Sequence, residues 1–184
     1  MSTTLPGVRR IVTAIDKAGK SCIAEDGPPK AVRENPARPG VRVCNLWATF
    51  GMPAPLDAQD RSTEIKGIMP PRAGTVIKTI DYPPYSPRDA EAARSTPFTS
   101  HRPGQSEPGV RRIAGARHPG MHETDSIDYA IVLFGEIYAL VDEGETLMKA
   151  GDVLIHRGTS HAWDNRSDKP ARILFVLVDD EPRR

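Results

Sequence analysis

Short apolar runs separated by turn residues fill the C-terminal part of the chain. From residue 127 onward the runs are IDYAIVLF, EIYALVD, ETLMKA, DVLIHR, HAWDN and ARILFVLVD. Gly135, Gly144, Gly151 and Gly158 lie between successive runs. Runs of this length with turn residues between them predict β-strands, and their quick succession is typical of an all-β barrel or sandwich.

The first part of the chain carries a sparser version of this pattern. Two β-branched runs flank residues 16–20, where Gly19 suits a tight turn, so we expect a hairpin. After the proline-rich stretch 27–40, residues 41–50 and 74–82 predict a third and a fourth strand. We therefore expect residues 1–69 to form a β extension packed on a barrel of residues 70–184, with one structural domain overall.

The segment 83–117 interrupts the strand pattern with prolines among Ser, Arg, Gly and Glu. It predicts a long loop with at most one helical turn, at 88–95, and in it Arg111 and Arg112 are interpreted as a solvated pair. Phe98 and the arginines of this loop are candidates for a lid that closes over an acidic substrate. A passive insertion is the alternative.

Composition limits the partners. The chain has 184 residues and a net charge of +1, so bulk electrostatics draws it neither to nucleic acid nor to anionic lipid. Its apolar runs fall short of the ~20 residues of a membrane span. We expect a cytoplasmic protein whose partner is a small molecule, with Cys22 and Cys44 as buried thiols.

The stretch HPGMHETDSIDYAIVLFGE resembles the first motif of the cupin superfamily. That motif reads His, any residue, His, three or four residues, Glu, six residues, Gly. His122 falls on the first histidine, Thr124 on the second, Asp128 on the glutamate and Gly135 on the glycine.

A second stretch, GDVLIHRGTSHAWDN, matches the other cupin motif at Gly151, Asp152, Gly158, His161 and Asn165. The resemblance covers about residues 70–180. It implies a cupin double-stranded β-barrel, or jelly roll, with its functional site in the mouth of the barrel.

The usual cupin metal site has three histidines and one carboxylate, and this sequence departs from it. The resemblance implies a site of His122, His161 and Asp128, which suffices for a divalent metal with open positions: zinc, iron, manganese or nickel. Asp125 is the alternative carboxylate. Thr124 would hydrogen-bond a metal-bound water or a substrate oxygen. The other possibility is a barrel that has lost its metal and keeps a polar pocket.

Strand alternation sorts the neighbours of these residues. If Asp128 points inward, Tyr129 faces the other side, where we expect it to pack. If His161 points inward, Trp163 does too, as a pocket wall or as an ordinary core residue.

Other candidates have plainer alternatives. His156 has the intrinsic pKa range of an acid or base, and Arg157 suits a substrate carboxylate. An ordinary strand histidine and a surface arginine are the alternatives. Lys78 is a pocket candidate whose facing the pattern leaves open. His101 and His118 are interpreted as surface histidines.

The resemblance supports three functional hypotheses. The first is a metal-assisted lyase, a dehydratase or decarboxylase acting on a small oxygenated organic acid or ketone. The second is an Fe(II)-dependent dioxygenase, and the third is a non-catalytic module that binds a small ligand. Because cupins are often dimers, we also expect a homodimer.

Overall fold

The computed structural model describes residues 4–35, 39–84, 86 and 107–181. These ranges contain a 3-10 turn at Ser62–Glu64 and thirteen strands: β1 (Arg10–Ile15), β2 (Ser21–Gly27), β3 (Ala31–Glu34), β4 (Arg42–Thr49), β5 (Thr75–Tyr82), β6 (Val110–Arg112), β7 (His122–Thr124), β8 (Ser126–Phe134), β9 (Glu136–Val141), β10 (Glu145–Lys149), β11 (Val153–Arg157), β12 (His161–Asp164) and β13 (Ala171–Asp179). No helix within them has the length and apolar character needed to span a membrane. The predicted helical turn at 88–95, Phe98 and His101 lie outside the described residues.

Two antiparallel sheets make up the barrel. One has the strand order β11-β8-β13-β5-β4-β3, and the other has the order β10-β9-β12-β7-β6. Their inner faces share one apolar core, which takes residues from both sheets, among them Val76, Val132, Ile137, Met148 and Ile173. This is the all-β jelly roll that the sequence predicted.

Alternation along β8 sets what faces the core. Ser126, Asp128, Ala130 and Val132 are all buried. The prediction that Asp128 points inward is therefore confirmed. Tyr129, on the outer face, keeps 41% of its surface exposed, so the prediction that it packs was wrong. The described residues leave this outer face of β8 largely uncovered.

The N-terminal strands divide into two groups. β1 and β2 pair as the predicted hairpin but form a sheet of their own, whereas β3 and β4 extend the six-stranded sheet. Arg10 ties the hairpin to the barrel, because its buried guanidinium bonds Asp60 Oδ2 at 2.5 Å, the Leu46 carbonyl at 3.0 Å and Glu25.

The two thiols differ in burial. Cys44 is buried on β4, as expected, but Cys22 is exposed on the hairpin, so that half of the prediction was wrong. The physical reason is that residues 13–24 of the hairpin are exposed on both faces.

Several residues of the two sequence motifs stabilise turns. Gly135 has φ +71°, and a Cβ there would lie 2.5 Å from the Pro170 carbonyl oxygen, so only glycine fits. Asp152 accepts a hydrogen bond from the Lys149 backbone N–H at 2.8 Å. Asn165 donates to three backbone carbonyl oxygens at 2.8–3.3 Å.

Candidate functional site

Three histidines from opposite sheets meet inside the barrel. His122 on β7 and His161 on β12 are cross-strand partners, and their ring centroids lie 4.3 Å apart. His156 comes from β11 in the other sheet, and its ring centroid lies 3.7 Å from that of His161. The sequence motifs named two of these imidazoles, and the packing of the two sheets adds the third.

Each of the three rings has its Nδ1 atom in a hydrogen bond. His122 Nδ1 lies 2.8 Å from the Gly120 carbonyl oxygen, and His161 Nδ1 lies 2.9 Å from the Thr159 carbonyl oxygen. Because a carbonyl only accepts, these Nδ1 atoms carry the proton and leave Nε2 with a lone pair. His156 Nδ1 lies 2.9 Å from Thr159 Oγ1. Oriented imidazoles of this kind are typical of metal sites.

Burial keeps these rings neutral. It lowers the pKa of His156 to about 4, and the nearby His122 adds to the effect. Burial also lowers the pKa of His122, and it lowers the pKa of His161 well below the usual value. At neutral pH the pocket therefore presents neutral imidazole, which is the form that binds metal ions.

The buried carboxylate of Asp128 lies on the strand next to His156 of this cluster. Asp128 is the cross-strand partner of His156, and its Oδ1 accepts a hydrogen bond from Ser126 Oγ at 2.6 Å. Burial raises the pKa of Asp128 to about 6, although Ser126 and the positive charge of Lys78 oppose the rise. The buried Thr124 hydroxyl also lowers the pKa of Asp128, toward which it lies.

Lys78 lies inside the barrel on β5. Its Nζ donates to the carbonyl oxygens of Gly67 at 3.2 Å and Ile68 at 2.8 Å. Burial, together with the positive charge of Arg33, lowers the pKa of Lys78 to about 8. The Lys78 side chain, whose orientation the sequence pattern left open, thus points into the barrel. Carbonyl oxygens of the segment 66–69 bind its ammonium group.

Trp163 serves as both core and pocket wall. Its ring packs edge-on against Phe175 of the opposite sheet, with centroids 5.4 Å apart. It also lies edge-on to His161, at a centroid distance of 6.3 Å. Trp163 is therefore a core residue that also lies beside His161. The rings of Trp163 and Phe175 border the imidazole cluster on one side.

Two predicted site residues face away from the cluster. Arg157 follows the inward-facing His156 on the same strand, so its exposed side chain lies on the outer face. Asp125, the alternative carboxylate ligand, accepts a bond of 2.6 Å from Arg111 Nη1. Neither residue shares the pocket.

Arg112 lies next to the histidine cluster, a position that the sequence did not indicate. Residues 110–112 form β6, which pairs with β7, so the prediction of a loop was wrong here, but both arginines are exposed, as the prediction of a solvated pair expected. Arg111 faces outward, whereas Arg112 is the cross-strand partner of His122 and shares its face. A strand of three residues is too short to produce a readable alternation.

The donor set fits a divalent metal in chemistry, but the rings would have to move. No three His, Cys, Asp or Glu side chains among the described residues converge on one ion position as they stand. Rings that share one tetrahedral ion at nitrogen distances of ~2.0–2.1 Å have centroids about 5 Å apart. The contact between His156 and His161, at 3.7 Å, must therefore open by about 1 Å for an ion to enter.

The family model described as "Cupin domain" (Cupin_2) matches residues 107–177, the segment that carries the three histidines and Asp128. This segment of the chain is a cupin domain. The sequence resemblance is therefore confirmed.

Relatives of this cupin include named fungal proteins. It is 47% identical over 92 residues to "Phomopsin biosynthesis cluster protein C'" of Diaporthe leptostromiformis, which covers 46% of this chain and 49% of that protein. It is 39% identical over 66 residues to "Cupin-domain-containing oxidoreductase virC" of Hypocrea virens, or 34% of each chain. The alignment with "Cupin-domain-containing oxidoreductase srdD" of Neurospora crassa covers 95% of this chain and 78% of that protein at 26% identity. In the first two alignments the matched part spans half or less of the relative.

Proposed function

We propose that this cupin is a metal-dependent lyase, a dehydratase or decarboxylase that acts on a small oxygenated organic acid or ketone in the barrel. The observation that carries the proposal is the cluster of three neutral imidazoles, each with Nδ1 engaged, beside a buried carboxylate. The relatives named oxidoreductases and biosynthesis cluster proteins support an enzymatic function of the fold in this group.

In this proposal His122, His156 and His161 would hold the metal through their free ring nitrogens. The chemistry that a divalent metal would supply there is polarisation of a substrate carbonyl and stabilisation of negative charge on its oxygen. In a dehydration Asp128 accepts the proton that leaves the neighbouring carbon, and in a decarboxylation its protonated form donates a proton to the enolate carbon after carbon dioxide has left, because the carboxyl group lies on the pocket face. Trp163 and Phe175 exclude water from one side.

Lys78 has an electrostatic role. Its ammonium group lies in the same interior and lowers the pKa of Asp128, so it favours the ionised carboxylate that acts as a base. The buried Thr124 hydroxyl lies beside Asp128, whose pKa it lowers, and can turn to a substrate oxygen. Both residues thus contribute polar groups from the barrel wall to binding.

The experiment compares Asp128→Asn with Asp125→Asn. Protein purified without an affinity tag is analysed for metal, and then its activity on oxaloacetate, acetoacetate and malate is followed by NMR under anaerobic conditions, against buffer with the same metal. We expect Asp128→Asn to keep its metal and lose turnover, while Asp125→Asn keeps both. Loss of metal in Asp128→Asn would make Asp128 a ligand, as the motif resemblance implies. No metal and no turnover in the wild type would leave a ligand-binding barrel.

An oxidoreductase is the second candidate, because two of the relatives described above carry that name. The same three imidazoles would hold iron with open positions for substrate and oxygen. Oxygen uptake by the Fe(II)-loaded protein, measured with the same three acids in an oxygen electrode, separates the candidates. Uptake that requires His156 and substrate favours the oxidoreductase, whereas turnover without oxygen favours the lyase.

A further inference from the structure

Arg112 stands in one row with two of the pocket histidines. Across β6, β7 and β12 the directly opposed residues are Arg112, His122 and His161. Directly opposed residues of antiparallel strands project their side chains from the same face. Arg112 is therefore aligned with the imidazole cluster at the outer strand of the row, and its positive charge contributes to lowering the pKa of His122.

The neighbouring Arg111 has carboxylate partners for its guanidinium. Arg111, on the opposite face, bonds Glu123 Oε2 at 3.0 Å and Asp125 Oδ1 at 2.6 Å. Within residues 4–35, 39–84, 86 and 107–181, Arg112 makes no ion pair and no hydrogen bond through its side chain. The two adjacent arginines thus differ in that only Arg111 has carboxylate partners among these residues.

The other charged groups of this part of the barrel are engaged elsewhere. Glu107 acts electrostatically on His122, but its carboxylate accepts the backbone N–H groups of Ile68 and Met69 at 3.0 Å and 2.8 Å. Lys78 donates to two carbonyl oxygens. Arg112 is exposed at the surface of β6, but partial desolvation of its guanidinium lowers its pKa. A partly desolvated cation gains most from an anion that presents two oxygens to its planar fork.

We propose that Arg112 binds the carboxylate of the substrate and so selects a small carboxylic acid for the pocket. The acid enters with its carboxylate on Arg112 and its second oxygen function toward the imidazoles of His122 and His161. This deepens the proposed function, because it names the substrate class of that site, but the binding step itself needs no turnover. Arg112 is a specificity-determining residue of the pocket.

The test uses acetoacetate and its methyl ester, which have the same shape around the ketone but differ in charge. Calorimetric titrations of metal-free and zinc-loaded protein compare the wild type with Arg112→Gln, Arg112→Lys and the matched control Arg111→Gln. We expect the wild type and Arg111→Gln to bind the acid at least about tenfold more tightly than the ester. Arg112→Gln should abolish that preference and leave ester affinity unchanged, and Arg112→Lys should restore only part of it.

Three results would overturn the proposal: equal binding of acid and ester by the wild type, no binding of the acid at millimolar concentration, or the same loss in Arg111→Gln as in Arg112→Gln. Failure of the proposed function looks different. In that case the acid preference still depends on Arg112, but no variant turns over the acid in either metal state. Circular dichroism and unchanged zinc content of each variant show that the barrel is intact.

Discussion

The imidazole of His156 packs against that of His161 with ring centroids 3.7 Å apart, although the two residues belong to different sheets. Thr124 occupies the motif position at which cupins usually carry a second histidine. A third imidazole nevertheless reaches the cluster, from β11, where the cross-strand partner of His156 is Asp128. The barrel therefore assembles three histidines and one carboxylate from a sequence in which the motif alone supplies fewer.

The first prediction is that His156→Ala weakens metal binding while the barrel stays folded. Loss of one of three nitrogen donors should lower the affinity for zinc by more than the 10–100-fold typical of losing an orienting hydrogen bond. Zinc titration with a competing chelator measures the effect. Ile155→Ala is the matched control, because Ile155 is the preceding residue on the strand and faces outward. Equal zinc affinity in the two variants would remove His156 from the ligand set.

A second prediction concerns the segment between β11 and β12. Thr159 serves two rings, since its hydroxyl contacts His156 Nδ1 and its carbonyl contacts His161 Nδ1. Thr159→Val removes only the hydroxyl contact, so we expect a fall of about 10–100-fold in zinc affinity. The control is Ser160→Ala, because the buried Ser160 hydroxyl has no hydrogen-bond partner in the described part of the chain. If both variants bind zinc like the wild type, His156 is not oriented through Thr159.

Much of the strand order was readable from the sequence. The six strands after residue 126 match the predicted runs closely, because turn residues separate the runs and the two longest strands, β8 and β13, alternate clearly between buried and exposed positions. β3, β6 and β7 have only three or four residues, too few for an alternation to stand out. β3 accordingly fell inside a predicted connection and β6 inside a predicted loop.

The candidate site was less predictable than the strands. Motif spacing identified His122, His161 and Asp128, because the two motifs place these residues at fixed separations along the sequence. The contact between His156 and His161 depends on how two sheets pack, which no local spacing encodes. The same reason explains Arg112, whose place beside His122 follows from strand pairing.

The third prediction concerns pH and Lys78. Burial lowers the pKa of Lys78 to about 8 in the folded protein, from 10.5. Between these two values the unfolded chain binds more protons, so the free energy of unfolding rises with pH. The buried charge thus destabilises the fold below pH 8, by about 3 kcal/mol for a shift of this size, and the penalty disappears as pH rises toward 10.5.

Urea unfolding of metal-free protein across this range measures the effect. The stability of the wild type should rise relative to that of Lys78→Met as pH increases from 8 to 10.5. Lys149→Met is the control, since Lys149 is exposed on β10, and its stability should stay parallel to the wild type. If the free energy of unfolding of Lys78→Met also ran parallel to that of the wild type across this pH range, the ammonium group would not be desolvated in the folded state.

The last prediction is the homodimer. The outer face of β8 and β11 exposes apolar side chains that the described residues leave uncovered: Tyr129, Leu133, Phe134, Val153 and Ile155 are 41–58% exposed. Apolar patches of several hundred Å² on a single chain typically mark an interaction site, and a stable dimer needs about 800 Å² from each partner. We expect two copies to pack through this face, because a two-fold axis pairs one apolar patch with its own copy.

Sedimentation velocity at micromolar concentration tests the dimer. We expect the wild type to sediment as a dimer and Ile155→Lys to sediment as a monomer, since a lysine in the centre of the face would bury an unpaired charge. Metal content should stay unchanged, because Ile155 points away from the pocket that its neighbour His156 enters. Ile23→Lys provides the comparison, as Ile23 is 61% exposed on the β1–β2 hairpin. Dissociation by Ile23→Lys alone would move the interface to the hairpin, and a monomeric wild type would contradict the prediction outright.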